Sequence, residues 1–480
     1  MRIDYSVSEI VELTGLTQGS NAVGRLVSGK TVFVGEGVPG DVVEIELIKE
    51  AKRHCEAKIL RIIEPSAQRV TPACPFYAMC GGCPWMQVSY EGQLLAKRAN
   101  VVEQLVRIGN KNRAEAEELV GETIASPRQL NYRNKIELHA TYGTHTYGSQ
   151  NPKSQRSKAK SSSNPRQRAR LSGAETTPNA KSSLFRLGFH QSESHTIVET
   201  KTCPVAAKAI EKSPASLRGA LRYAQGNQDL GIFRVGVRSS AKTKATEIAL
   251  WTTPGPFPRA HIAQILQDSL KATSVVRVMA DPGKARKIKG VEVLAGKGYW
   301  EEKLLGLTYK VSAPSFFQVN SEQAETMIKL VLEGLAVGPE SYCADLYCGA
   351  GTFTLPLAEH CGEVFAVESQ ASSVRDLRRN LEINNLFAEV IGGDSARELP
   401  ELGELDGLVV DPPRAGLAPS VPADIAAAAA KRFAYVSCDP STWARDVARI
   451  EAYGYRLVST TPVDLFPQTY HIETVSIFER

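Results

Sequence analysis

From about residue 305 onward the chain alternates apolar, β-rich runs with helix-length segments, and this alternation restricts its folding more than any other feature. The runs YCADLYCG, EVFAVE, AEVIGGD, DGLVVDPPR and FAYVSCDP are separated by TFTLPLAEH, a helical stretch over 370–384 and an Ala-rich helix near 423–431. Strands alternating with helices of this length build βαβ units around a parallel sheet, whose ligands bind outside the carboxyl ends of the strands. The residues able to do chemistry in this half fall at those ends.

Asp345-Leu346-Tyr347-Cys348-Gly349-Ala350-Gly351-Thr352 follows the first run and opens a helix. Glycines there let backbone approach a ligand closely, and Glu368 closes the next strand where it could bond ribose hydroxyls. The loop lacks the third glycine of a dinucleotide fingerprint, which points to S-adenosylmethionine instead; alone it would read as a plain strand-to-helix turn. Asp394 ends the third run, where an adenine amino group would lie, and Asp411-Pro412-Pro413-Arg414 ends the fourth with a carboxylate stiffened by two prolines.

Ser437-Cys438-Asp439-Pro440 ends the fifth run, so its thiol faces the same crevice. A thiol beside a methyl donor suits alkylation of a pyrimidine at C5: addition of sulfur to C6 makes C5 nucleophilic. The C5 proton must then leave, which requires a base. His471 and Glu473, two apart in a strand-like tail, are the candidates and are expected on one face.

Ahead of this half, the first 66 residues read as five short strands, IVELTGL, AVGRLV, KTVFVGEG, DVVEIELI and CEAKILRII, a small barrel of the oligonucleotide-binding kind or another five-stranded module. Residues 67–90 are loop-like, and Glu91 to about Ile108 is an amphipathic helix with Leu94, Leu95, Val101, Val102, Leu105 and Val106 as its apolar positions. Strand-like runs then recur to about residue 300. They are interrupted at about 143–183 by a Ser-rich polar stretch, expected to be a disordered insertion in a hairpin between KIELHA and LFRLGFH.

Composition adds less. At 480 residues, 42% hydrophobic and 23% charged, the chain needs more than one core. The net charge of +5 is concentrated: residues 151–173 hold Lys153, Arg156, Lys158, Lys160, Arg166, Arg168 and Arg170 with no acid, so the remainder is nearly neutral. No signal peptide or spanning run is apparent, and a cytoplasmic protein without membrane attachment is expected. Among nine cysteines, Cys74, Cys80 and Cys83 with Cys203 make four thiolates, enough for an iron–sulfur cluster or an all-cysteine zinc site. The spacing is not the C-x3-C-x2-C of radical enzymes. Cys55, Cys343, Cys348 and Cys361 are read as structural.

SFFQVN, DLYCGAGTF, DPPRAG, SCDP and HIETV, in this order, resemble the S-adenosylmethionine-dependent RNA uracil-5-methyltransferases, in particular the bacterial 23S ribosomal RNA branch. The resemblance covers almost the whole chain. It implies a TRAM-like RNA-binding β-barrel at 1–66, a central α+β domain carrying a [4Fe-4S] cluster at 67–304, and a C-terminal Rossmann-like class I methyltransferase domain at 305–480. It further implies Gln318, Tyr347, Thr352, Glu368 and Asp411 as cofactor or active-site contacts, with Asp394 a further cofactor residue, Cys438 as nucleophile, Glu473 as base, and Cys74, Cys80, Cys83 and Cys203 as cluster ligands. RNA contact is expected at Asn131-Tyr132-Arg133-Asn134-Lys135, and the protein is expected to be a monomer. The competing expectations are a methyltransferase for the T-loop uridine of transfer RNA and, from another class, a non-catalytic iron–sulfur RNA-binding protein.

Overall fold

A computed structural model describes residues 8–143, 185–283 and 287–480. The expected basic insertion falls outside the described residues. At the N-terminus β1 (Ser8–Leu16), β2 (Asn21–Arg25), β3 (Thr31–Gly35), β4 (Val42–Glu50) and β5 (His54–Glu64) close into a barrel in the order β1-β2-β3-β5-β4. Along β4 the alternation does what its period dictates: Val43 and Ile45 are buried while Glu44 and Glu46 reach outward to Arg61 and Lys58.

The loop after the barrel leads into α1 (Tyr90–Arg107) and α2 (Arg113–Leu119). Ser89 caps α1, its hydroxyl accepting the Gly92 N–H. Val101, Val102 and Leu105 are buried as their spacing predicts, but Leu95 is 52% exposed and Lys97 is fully buried. The helix is rotated toward Lys97 by a partner distant in sequence, Asp464, with which it forms an ion pair sealed from solvent.

A seven-stranded sheet follows, in the order β12-β11-β10-β9-β6-β7-β8. It comprises β6 (Lys135–Tyr142), β7 (Phe185–His190), β8 (Ile197–Val198), β9 (Ile232–Ser239), β10 (Thr246–Thr252), β11 (Ser274–Ala280) and β12 (Ile288–Gly296). β6 and β7 form the expected hairpin, Tyr142 opposite Phe185. Two helices without a counterpart in the sequence reading, α3 (Ser213–Gln225) and α4 (Arg259–Leu270), cover one face through Leu217, Leu221, Ile262 and Leu266. The hairpin β13 (Trp300–Leu304) and β14 (Leu307–Val311) comes next; residue 305 lies in its turn.

The second seven-stranded sheet has the order β17-β16-β15-β18-β19-β21-β20. Its strands are β15 (Tyr342–Leu346), β16 (Glu363–Glu368), β17 (Glu389–Gly392), β18 (Gly407–Val410), β19 (Arg432–Ser437), β20 (Arg456–Val463) and β21 (Glu473–Glu479). The first five in that order run parallel, and β21 enters antiparallel between β19 and β20. Helices α5 (Ser321–Leu335), α6 (Thr354–His360) and α7 (Ala371–Ile383) pack on one face. The other is covered by α8 (Ser395–Glu398), α9 (Val421–Ala427) and α10 (Pro440–Glu451), joined by α1 and α2 from far upstream. The order reverses at β15, so the crevice for a ligand opens beyond the carboxyl ends of β15 and β18. Among the described residues no helix is long and apolar enough to cross a membrane.

Candidate active site

Beyond β15 the chain turns sharply, with Tyr347, Gly349 and Gly351 all at positive φ. The two glycines serve different ends. A Cβ on Gly349 would meet nothing within 4 Å, so this face of the loop is open to a ligand; one on Gly351 would lie 2.5 Å from Leu355 and 2.6 Å from Leu377, so that glycine permits close packing. Thr352 follows, half-buried.

Glu368 stands at the end of β16 with a role beyond the expected ribose contact. Its Oε2 accepts the Gly349 N–H at 2.9 Å and its Oε1 the Gln370 N–H at 2.6 Å, so it braces the open loop. Each carboxylate oxygen has further lone pairs. Asp394 is exposed and caps α8, its Oδ1 accepting the Ala396 N–H at 2.9 Å. Gln318 is buried between β14 and α5, its backbone carbonyl accepting the Asn134 side-chain N–H at 2.9 Å.

Asp345, the first residue of the glycine-loop motif, lies in β15. It is fully buried, one oxygen accepting the Thr354 hydroxyl at 2.6 Å while Oδ1 has no partner. Burial pushes its pKa to about 8, with the nearby Asp411 and Glu368 adding to the effect. Burial likewise pushes Asp411 to about 7. Carboxyls packed together without a cation favour a positively charged occupant.

Cys438 follows β19 and is half-buried. Burial pushes its thiol up to about 12, helped by Glu473 and Asp411 and opposed by Arg414. It lines a cavity of about 210 Å³ with Arg414, Asp439, Tyr470, His471 and, from the turn after β1, Gln18. Glu473 begins β21 and is 4% exposed; burial, then Asp411, holds its carboxyl well above the usual range, with Arg414 opposing. His471 does not share the strand face expected of it, because β21 starts two residues later. Its Nδ1 lies 3.3 Å from the Arg414 guanidinium, a donor that occupies the nitrogen's lone pair, and burial lowers its pKa to about 4. Arg414, noted only as part of its motif, is thus the cation that touches or influences all three groups.

The cysteine quartet comes together from two places. Cys74, Cys80 and Cys83 on the loop after the barrel and Cys203 after β8 line one cavity of about 420 Å³, with Arg133, Lys135 and Phe316. Burial pushes Cys203 to about 11 and raises Cys80 and Cys83, whose neighbouring sulfurs add to the effect. Among the described residues, no three His, Cys, Asp or Glu side chains form a ready group for a metal ion. The sulfurs surround a space rather than converge on a point.

In the segment 131–135 the aromatic and the two asparagines are tied inward, whereas Arg133 and Lys135, the cations of the expected RNA contact, are half-buried and line the cysteine cavity. Tyr132 is 2% exposed and its hydroxyl donates to the Pro467 carbonyl, Asn131 binds the Pro204 and Ala206 carbonyls, and Asn134 binds Gln318 and Ser321. Asn131, Tyr132 and Asn134 thus form a joint between the central sheet, α5 and the C-terminal tail.

A doubly wound sheet with an open glycine loop, buried carboxyls beneath it and a thiol on the same edge defines a class of α/β transferase sites. The family model described as tRNA (Uracil-5-)-methyltransferase matches residues 262–480. A relative from Chlorobaculum tepidum described as an uncharacterized RNA methyltransferase is 32% identical, covering 100% of this chain and 98% of its own. One from Gloeobacter violaceus, described likewise, is 33% identical, covering 98% and 96%. The crystal structure of Pyrococcus abyssi tRNA (uracil-54, C5)-methyltransferase in complex with S-adenosyl-L-homocysteine shares the fold, with a TM-score of 0.70 at 23% identity over 98% of this chain and 99% of that one. The chain belongs to the RNA (uracil-5-)-methyltransferase family, and it is an RNA methyltransferase.

Proposed function

We propose that the protein methylates C5 of uracil in 23S ribosomal RNA, with S-adenosylmethionine as donor and Cys438 as covalent nucleophile. The observation that carries this reading is the placement of Cys438: it opens into a cavity on the carboxyl edge and interacts with Asp411, Glu473 and Arg414. The neighbour solved with S-adenosyl-L-homocysteine supports the choice of donor, as does the buried acidic pair Asp345 and Asp411. Gln318, Tyr347, Thr352, Glu368 and Asp394 are assigned with Asp411 to the donor's binding.

The thiol must lose its proton as its sulfur bonds C6, and Asp411, titrating near neutrality, is suited to accept it. Bound S-adenosylmethionine supplies a methyl group from its sulfonium to C5. Glu473, in its ionised form, then removes the C5 proton, the C5–C6 double bond reforms, and the bond from C6 to Cys438 sulfur breaks to return the thiolate. Arg414 stabilises that thiolate and the ionised Glu473.

RNA containing 5-fluorouridine tests the covalent step, since fluorine at C5 blocks proton removal. The wild type should form an adduct that survives denaturing electrophoresis, and Cys438→Ala none. Glu473→Gln should accumulate adduct on ordinary RNA. Equal adduct in the Gln variant and wild type, with normal turnover, would remove Glu473 from the base role.

We assign Cys74, Cys80, Cys83 and Cys203 to a [4Fe-4S] cluster. A four-thiol donor set suits it, and a cavity this wide favours a polyatomic cluster over a single ion. Its role is structural: it ties the loop after the barrel to the central sheet. The resemblance of the motifs to the bacterial 23S ribosomal RNA branch favours ribosomal RNA. The family description and the fold neighbour, both naming tRNA, favour the second reading, a transfer RNA uridine. Mass-spectrometric mapping of 5-methyluridine in cells lacking the protein decides between them: loss from 23S RNA supports the first, and loss from transfer RNA alone overturns it.

A further inference from the structure

Next to the thiol cavity lies a larger cleft, about 620 Å³, that the proposed reaction does not use. It falls within the roughly 300–1,000 Å³ of typical ligand sites. The turn between β1 and β2, the cysteine loop at Gly81 and Gly82, strands β6 and β7 with the turn that leads from β7 to β8, and Tyr470 of the catalytic tail wall it. The partition from the thiol cavity is thin. Gln18 lines the thiol side, Thr17 and Gly19 line the cleft, and Tyr470 lines both.

The walls are fastened. Trp85 Nε1 donates to the Gly19 carbonyl at 3.0 Å, and the Gly81 N–H to the His190 carbonyl at 3.1 Å. A Cβ on Gly81 would stand 2.8 Å from the Ser192 backbone, so loop and turn meet with no room to spare.

The chemistry of the lining selects its occupant. His139 and His190 stack with centroids 3.6 Å apart at 16°, and Phe189 and Tyr470 add aromatic surface. Parallel stacked imidazoles project their lone pairs within two separate planes, which do not meet at one ion. Among the described residues no Lys or Arg lines the cleft, whereas Glu193 does and Glu137 is paired with Lys135 and Arg234, so the lining offers a phosphate no cation of its own. Neutral donors and acceptors from Asn21 and Gln191, beside π-faces, suit an uncharged heterocycle with a hydrogen-bonding edge.

We propose that this cleft is a subsite for the base of a nucleotide adjacent to the methylated uridine, seated on the His139–His190 stack and separated from the target base by Tyr470. The proposal rests on the reading of Cys438 as the site of the target uracil. It gives the barrel a second function, that of shaping a base pocket as well as adding affinity.

Two measurements on the full-length protein test it. The first is the dissociation constant for a fluorescein-labelled oligouridine, which needs no methyl transfer. His190→Ala should weaken it about tenfold, in the range expected for one lost base stack; His190→Phe should stay within about twofold of wild type. Ser192→Trp, an exposed position that fills the cleft, should weaken it comparably. The second is the rate of adduct formation on RNA with one 5-fluorouridine and an abasic residue on its 5′ or 3′ side. One of these substitutions should slow wild type about tenfold and leave His190→Ala no slower than it already is. Unchanged affinity in His190→Ala and Ser192→Trp, or abasic effects equal in wild type and variant, would overturn the subsite. Absence of any adduct alongside the predicted affinity losses would instead sink the covalent mechanism and leave the subsite standing.

Discussion

Asp345 and Asp411 keep their protons into the neutral range, at about 8 and about 7, and Glu247, buried beside Arg238, does so at about 7. In the unfolded chain these carboxyls are ionised above about pH 4. The folded protein therefore binds more protons than the unfolded one from there up to about pH 8, and these groups make stability fall as pH rises through that window. His139 and His471, both lowered to about 4, act oppositely: below pH 6.5 the unfolded chain takes up protons that the fold refuses, so their contribution to stability rises with pH up to that point. Three carboxyls outweigh two imidazoles, so the thermal midpoint of the ligand-free protein should decline throughout from pH 5 to 8.5, the histidines offsetting part of the loss only below about pH 6.5, and by several degrees in all. Asp345→Asn should flatten the decline; an unaltered slope would show that Asp345 is ionised in the fold. A cationic donor binds best when these carboxyls are charged, so S-adenosylmethionine affinity, followed by calorimetry, should tighten several-fold between pH 6 and 8.5, and less in Asp345→Asn.

At the scale of elements, α1 carries the main test of what joins the N-terminal segment to the second sheet. Lys97 is sealed with Asp464, which also accepts the Tyr90 hydroxyl at 2.8 Å, and Lys97 donates to the Phe466 carbonyl at 3.1 Å. Lys97→Met leaves Asp464 buried without its cation and should cost about 3–5 kcal/mol, whereas Lys97→Met with Asp464→Leu should recover much of that loss. Thermal melts of the two variants check this, and a double variant no more stable than the single would remove the ion pair from the account. The same pair marks the boundary of what local pattern could reveal. The barrel strands and β15 to β19 were legible because each obeys its own period and ends in a recognisable loop. The turn of α1 toward Lys97 was not, since its cause lies 367 residues downstream. Helices α3 and α4 escaped for a related reason: their apolar positions are few and are interleaved with Arg218, Arg222, Gln264 and Gln267, so burial against the sheet, not their own pattern, defines them. Of the candidate site, Cys438, Asp411 and Glu473 were readable from strand ends. Asp345 and Arg414 were not, because an orphaned oxygen and a shared cation appear only when separate strands meet.

For the molecule as a whole, the decisive contacts join its two ends. Trp85, fully buried, packs in the barrel's core cluster, donates its ring N–H to Gly19 and its backbone N–H to the Gln468 carbonyl at 3.1 Å. Gln93 reinforces this from α1, its amide donating to the Trp85 and Val88 carbonyls and its oxygen accepting the Gln468 N–H at 2.8 Å. Across the thiol cavity, Gln18 accepts the Ser441 hydroxyl at 2.8 Å. The barrel is therefore held on one side by the Trp85 indole, with Val88, Tyr470 and the Arg69–Asp41 ion pair beside it, and on the other by the Gln18–Ser441 hydrogen bond, and the indole contributes the most buried surface of these. Trp85→Ala should cost about 3–5 kcal/mol locally. Because the parallel sheet draws its core from other residues, that loss should fall on the barrel. Hydrogen exchange should quicken across β1 to β5 and the Gln18 turn while β15, β18 and β19 keep their protection. The rate of adduct formation should fall with the barrel's protection, because the wall bearing Gln18 moves away from Cys438. Uniform loss of protection throughout the chain would mean instead that barrel and catalytic sheet unfold as one cooperative unit.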